Sequence, residues 1–185
     1  MLFGSRTGFG LEFHIEQGPG LLRVDVFVGG LHVNTWDNAF YPPLLVKKLK
    51  DELGRHRTPT ARPVGFTTPS ASFLLAETWM SGGDDGAGTA AGAGAELARC
   101  EFLEWGECTD QVVALAFPDG DRVHLACRVR EVGGAAWGAE PRHEPTVVSV
   151  SRTVLVDTLE RALAFAEREW SARLAVMRSL GDTTP

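Results

Sequence analysis

The sequence predicts an α+β domain, a mainly antiparallel sheet with a short helix after the third strand and a long amphipathic helix at the C-terminus. Three observations carry that prediction. The first 34 residues alternate apolar and polar side chains with the period of a half-buried strand. The runs "QVVALAF" and "DRVHLACRVR" repeat that alternation on either side of a Pro-Asp-Gly turn. From Ser151 to Leu180, the residues Leu155, Leu159, Leu163, Ala166, Trp170, Leu174 and Met177 recur at three- and four-residue spacing, one stripe of a helix.

"FGLEFHIEQ" sets Phe9, Leu11, Phe13 and Ile15 on one face and Glu12, His14 and Glu16 on the other. After "GPG", "LLRVDVFV" turns Leu22, Val24, Val26 and Val28 inward and Arg23, Asp25 and Phe27 outward. Gly29-Gly30 predicts a hairpin into a short third strand, "LHVN". "YPPLLVKKLKDELG" then predicts a helix, with prolines in its first turn, Leu45, Leu49 and Leu53 on one face and Gly54 as its stop. Lys47 with Asp51, and Lys48 with Glu52, are expected as exposed i,i+4 pairs. Residues 54–70 hold three prolines and read as a connection, and "ASFLLAETW" suits strand or helix equally. "RCEFLEWGE", the two hairpin arms and "TVVSV" complete an expected single sheet of about six to eight strands. The final helix would run about 40 Å, further than a small sheet can cover. Either it lies across one sheet or its last turns project and contact a second chain, giving a homodimer and a structural or assembly protein as an alternative function.

Composition narrows the function. The chain has 185 residues, enough for one substantial core, and a formal net charge of -6, which argues against binding nucleic acid through a basic surface. No apolar run approaches a membrane span, and "MLFGSRTGFGLEF" lacks the features of a signal peptide, so a cytoplasmic protein is expected. The three cysteines, Cys100, Cys108 and Cys127, form no C-x-x-C pair and predict neither a disulfide framework nor a zinc knuckle. His124 and Cys127 would point to opposite faces of a strand, so they predict no metal site, and Cys127 is expected in the core.

"MSGGDDGAGTAAGAGAELARC" contains Gly86, Gly88 and Ala91 at the G-x-G-x-x-G/A spacing of a dinucleotide loop. No parallel βαβ unit surrounds it, and Asp84 and Asp85 would repel a pyrophosphate. The expectation is therefore no cofactor, and a flexible Gly/Ala-rich insertion near residues 81–95 within one domain spanning 1–181, followed by a tail at 182–185. Its deletion should cost little.

Two clusters remain as candidate chemistry. "HVNTWDN" brings His32, Asn34, Trp36, Asp37 and Asn38 together. His32 and Asp37 could form an acid/base pair in an enzyme of unfamiliar type, although turn-forming and capping roles, with Trp36 over the core edge, explain them better. Residues 84–110 carry seven acidic side chains opposed only by Arg99. Within them, Glu101, Glu104, Trp105, Glu107 and Asp110, beside Phe102 and Leu103, suit a partner-binding surface for a basic protein, through electrostatic steering and an aromatic anchor. A solvated acidic face is the simpler alternative.

"MLFGSRTGFGLEFHIE", "LLRVDVFVGGLHVN", the Trp-Asp turn and the helix after it resemble the opening of immunity proteins from bacterial polymorphic toxin systems. The resemblance covers roughly the first 55 residues. It implies a non-enzymatic inhibitor, free of cofactors, that binds and neutralises a cognate toxin, and it assigns no individual binding residues.

Overall fold

A computed structural model describes residues 1–15, 20–82, 89–130 and 144–181. The class is α+β, with antiparallel sheets and a long C-terminal helix, but the strands form two sheets rather than one.

The first sheet contains β1 (Leu2–Gly4), β2 (Phe9–His14), β3 (Leu22–Val28), β4 (Leu31–His32) and β5 (Ala39–Phe40). Its path is β1-β2-β3-β4, and β5 also pairs with β3. β1 was not foreseen, because three residues are too few to show a period. The β2–β3 register pairs Leu11 with Val26 and Glu12 with Asp25, so the alternation read from the sequence becomes two distinct faces. Phe9, Leu11, Phe13, Leu22, Val24, Val26 and Val28 are buried on the inner one. Ile15 lies beyond the end of β2 and is exposed, contrary to its expected inward position.

α1 (Pro42–Arg57) and α4 (Arg152–Gly181) pack against each other over that inner face. α1 carries Pro42 and Pro43 at its start, as expected, but continues through Gly54. Lys47 pairs with Asp51 at 3.6 Å, whereas Glu52 is buried and Lys48 turns to Glu104 at 3.7 Å. The expected exposed Lys48–Glu52 pair does not exist. In α4 the buried stripe is Leu155, Leu159, Ala162, Phe165 and Ala166, with Leu163 on its flank. Between residues 171 and 179 no side chain is buried, although Arg173 Nη1 donates to Leu21 O at 2.6 Å, so the helix leaves the core only beyond that contact.

The second sheet is β6 (Val112–Asp119), β7 (Arg122–Val129) and β8 (Thr146–Ser151), in that order. One face, with Ala114, Ala116, Val123, Leu125 and the fully buried Cys127, closes the main core. The other carries Val113, Leu115, Phe117 and Ala126 and is covered by α2 (Pro69–Met80) and α3 (Thr89–Ala98).

α3 corrects the insertion reading. The Gly/Ala-rich sequence is helical from Thr89, and Leu97 and Ala98 at its end are buried. Its small residues let α2 approach closely: a Cβ at Gly94 would lie 3.0 Å from Trp79 Cβ. Gly86, Gly88 and the aspartates 84 and 85 lie outside the described residues, as does most of the loop between β7 and β8. "ASFLLAETW" resolves to helix, with Thr68 as N-cap accepting from Ala71 N at 3.3 Å and Pro69 at the first position. No described helix is long and apolar enough to cross a membrane.

Candidate functional site

The segment 101–110 leaves α3, crosses the edge of β6 and returns as a single 3-10 turn (Glu107–Thr109). It is not the expected strand. Phe102 N–H donates to Ala114 O at 2.9 Å and Ala116 N–H to Cys100 O at 2.8 Å, so the chain borrows the β6 edge only briefly. Leu103 then takes a left-handed backbone (φ 61°) and Trp105 N–H reaches back to Leu103 O at 2.8 Å. That tight turn projects Glu104 while its neighbours face inward.

The result is a spacing of three. Glu101, Glu104, Glu107 and Asp110 are all exposed, while Phe102, Leu103 and Trp105 are buried between them. Trp105 is 1% exposed and lies edge-on to Phe40, with ring centroids 6.2 Å apart. It holds the acidic segment in place and cannot serve as an aromatic anchor for a partner. Glu101, Glu104 and Asp110 line a groove of about 160 Å³ with Phe102, Met80 and Arg130.

The second sequence cluster meets this segment. The Cys108 thiol is pushed up to about 12, first by burial and then by the Asp37 carboxylate, to which it hydrogen-bonds. Asp37 thus reaches the 101–110 segment at Cys108, the residue after Glu107. It also accepts Ala39 N–H at 2.9 Å, a turn-stabilising role. Trp36, next to it, is 68% exposed and does not cover the core edge. Asn34 is buried, where its side chain bonds Val26 N and Val24 O, each at 2.8 Å, and completes the ladder beside β3.

The structure does not bring His32 and Asp37 together as an acid/base pair. The carboxylate nearest His32 is Asp25, whose Oδ1 lies 3.3 Å from Nε2. Asp25 Oδ2 is 2.7 Å from His14 Nε2, and Asn38 donates to Oδ1 at 2.7 Å. Burial pushes the Asp25 carboxyl up, but the Asn38 and His14 hydrogen bonds and the His32 charge outweigh it and hold it below its usual value. These groups stand on the open face of the first sheet, together with Phe27, which has Arg6 above its ring at 5.2 Å. Alternation had placed His14 and Asp25 on this face, but only the β2–β3–β4 register joins them to His32.

Among the described residues no three His, Cys, Asp or Glu side chains converge on a metal-binding geometry. No protein-family model matches this chain, and no curated protein or solved structure matches it either.

Proposed function

We propose that this chain is a protein-binding protein that captures a basic partner on the surface formed by Glu101, Glu104, Glu107 and Asp110, by binding alone and without catalysis at that surface. The observation that carries the reading is the division of labour within one segment. Its apolar side chains are buried in the core and its four carboxylates are left exposed, while Asp37 hydrogen-bonds Cys108 within the segment and Trp36, next to Asp37 in the chain, is exposed. Fixed carboxylates steer a positively charged partner, and a desolvated tryptophan slows its departure. Trp36 takes the anchoring role that the sequence had pointed to in Trp105. The resemblance of the N-terminal region to immunity proteins supports a more specific form of the same reading, in which the partner is a cognate toxin.

The test is a pull-down from the native cell lysate at low and high salt. It compares the wild-type protein with a variant carrying Glu101→Gln, Glu104→Gln, Glu107→Gln and Asp110→Asn, and with Trp36→Ala. A basic protein recovered near equal stoichiometry, weakened by salt and lost from both variants, supports the reading. Recovery unchanged in both variants would remove this surface from consideration. For the toxin form, co-expression must rescue growth from a toxin encoded beside this gene.

A second reading, a structural or assembly protein that forms a homodimer through α4, draws on the turns after Arg173, where Val176 is 54% exposed. Light scattering that finds a monomer at high micromolar concentration would reject it.

A further inference from the structure

On the helix-covered face of the second sheet, three side chains from three neighbouring strands form a chain of polar contacts. Ser149 Oγ lies 2.5 Å from His124 Nδ1, and His124 Nε2 lies 3.4 Å from Asp119 Oδ2. Asp119 is itself gripped by Arg62, whose Nε and Nη2 donate to Oδ1 and Oδ2 at 3.1 and 2.6 Å. Those bonds hold the Asp119 carboxyl below its usual range, with a smaller contribution from His124. The imidazole is stacked on Phe66, with centroids 5.6 Å apart and planes 21° from parallel, and its side chain is only 16% exposed. The ring is thus fixed in both plane and position. With Nε2–H directed at Asp119, Nδ1 is left as the acceptor for the serine hydroxyl.

The ladder adds a second feature. Arg152 N–H donates to Asp121 O at 2.8 Å, continuing the β7–β8 pairing by one residue and fixing its phase. Narrow and wide pairs alternate in an antiparallel ladder, so the facing residues His124 and Ser149 form a pair without mutual backbone bonds. Facing side chains approach most closely there. The Ser149 N–H also points away from β7, towards the outer edge of β8, the last strand of the sheet. Arg122 Nη2 donates to Ser149 O at 3.1 Å, which puts a cation beside the same residue.

We propose that Ser149 is a nucleophile for carboxylic esters, with His124 as its general base and Asp119, held by Arg62, as the positioning residue. Ser149 Oγ attacks the ester carbonyl carbon while its proton passes to His124 Nδ1. The tetrahedral oxyanion forms beside the Ser149 N–H and the Arg122 guanidinium. Collapse of the intermediate breaks the carbon–alkoxide bond, and His124 returns the proton to the departing alcohol. Water, deprotonated by the same nitrogen, then attacks the acyl carbon; the bond from that carbon to Ser149 Oγ breaks, His124 returns the proton to Oγ, and the free acid leaves. Asp119 keeps the tautomer and compensates the transient imidazolium, as the third member of such triads does. The ring nitrogens exchange their usual roles here, with Nδ1 towards serine. The 3.4 Å carboxylate contact is of a length that tightens when substrate binds. This activity is independent of the acidic surface and uses none of its residues.

The test uses the full chain, a fluorophosphonate probe read by peptide mass spectrometry, and p-nitrophenyl acetate as the ester. A phosphonyl adduct on Ser149 is expected, with labelling that rises with pH, as dependence on a general base requires. His124→Gln should slow labelling at least tenfold, and Asp119→Asn should slow it less and alter the pH profile. Ser149→Ala should reduce ester hydrolysis to that of free imidazole. Absence of a Ser149 adduct in the wild-type protein overturns the proposal. So does an adduct whose rate is independent of pH, a result that stands even if the His124 variant fails to fold.

Discussion

The two sheets spend the same pattern differently. In β3, Leu22, Val24, Val26 and Val28 are buried while Arg23, Asp25 and Phe27 keep some access to water, because only one face has a layer over it. In β6 five consecutive residues, Val113 to Phe117, are buried, because the main core covers one face and α2 with α3 cover the other. The first sheet therefore keeps an open polar face, whereas the second is covered on both faces along β6. Alternation alone does not distinguish them. What does is whether a second amphipathic layer exists elsewhere in the chain.

The largest expected effect compares two phenylalanines on the faces turned away from the main core. Phe117→Ala removes a fully buried ring from beneath α2 and α3 and should cost about 3–5 kcal/mol in urea denaturation. Phe27→Ala, on the open face, should cost about 1 kcal/mol or less, mostly its contacts with Arg6 and His32. Equal losses would mean that the two faces are covered alike. A more local probe is Gly94→Val. Its Cβ would stand 3.0 Å from Trp79 Cβ, so α2 and α3 must separate, at an expected cost of about 1–3 kcal/mol. A neutral outcome would indicate that the helix pair does not close on the second sheet.

Carboxylates sharpen the comparison by pH. Asp25 on the open face is held below its usual value, whereas burial pushes Glu52 in the main core up to about 7. The Trp105 indole and Leu103 backbone turn towards Glu52, but neither Glu52 Oε2 nor Trp105 Nε1 has a well-formed hydrogen bond. One turn along α1, burial, with Arg55 and Arg152 nearby, lowers His56 to about 4. The folded chain thus holds the Glu52 proton that the unfolded chain releases near 4.5, so this group lowers stability as pH rises from 4.5 to about 7. The unfolded chain binds a proton on His56 near 6.5 that the folded chain refuses until about 4, so stability rises with pH in that window. The two slopes oppose each other over most of their range. Glu52→Gln should expose the His56 slope, with stability rising by up to about 1.4 kcal/mol per pH unit between 4 and 6.5. A variant as flat as the wild-type protein in that range would contradict the burial of His56.

The smallest expected effect is Gly54→Ala. Gly54 lies within α1, and a Cβ there would meet nothing within 4 Å. The change should stabilise the protein by about 0.5–1 kcal/mol in thermal melts. No gain would show that the helix ends before residue 54, as its sequence first implies.

Much of this chain was legible in advance. Strand faces, the β6–β7 hairpin, both flanking helices and the inward position of Cys127 follow from side-chain periods, which depend on local backbone geometry alone. α3 was hidden because Gly and Ala give a helix no apolar stripe; its stability comes from close contact with α2, a property of the pair. Trp105 and Trp36 exchanged their expected places for a related reason. A tryptophan in a loop has no period to betray its side, and the inward turn after Leu103 decides it. Glu52 looked exposed because lysine and glutamate four apart commonly pair, yet α1 turns that carboxyl beneath the 101–105 segment. The contacts among His14, Asp25 and His32, and among Asp119, His124 and Ser149, needed register, which pairs residues distant in the chain. Side-chain period marks most of the residues that an element buries, because it depends on local backbone geometry; what covers each face, and where residues such as Ile15, Glu52 and Trp105 come to lie, depends on elements distant in the chain.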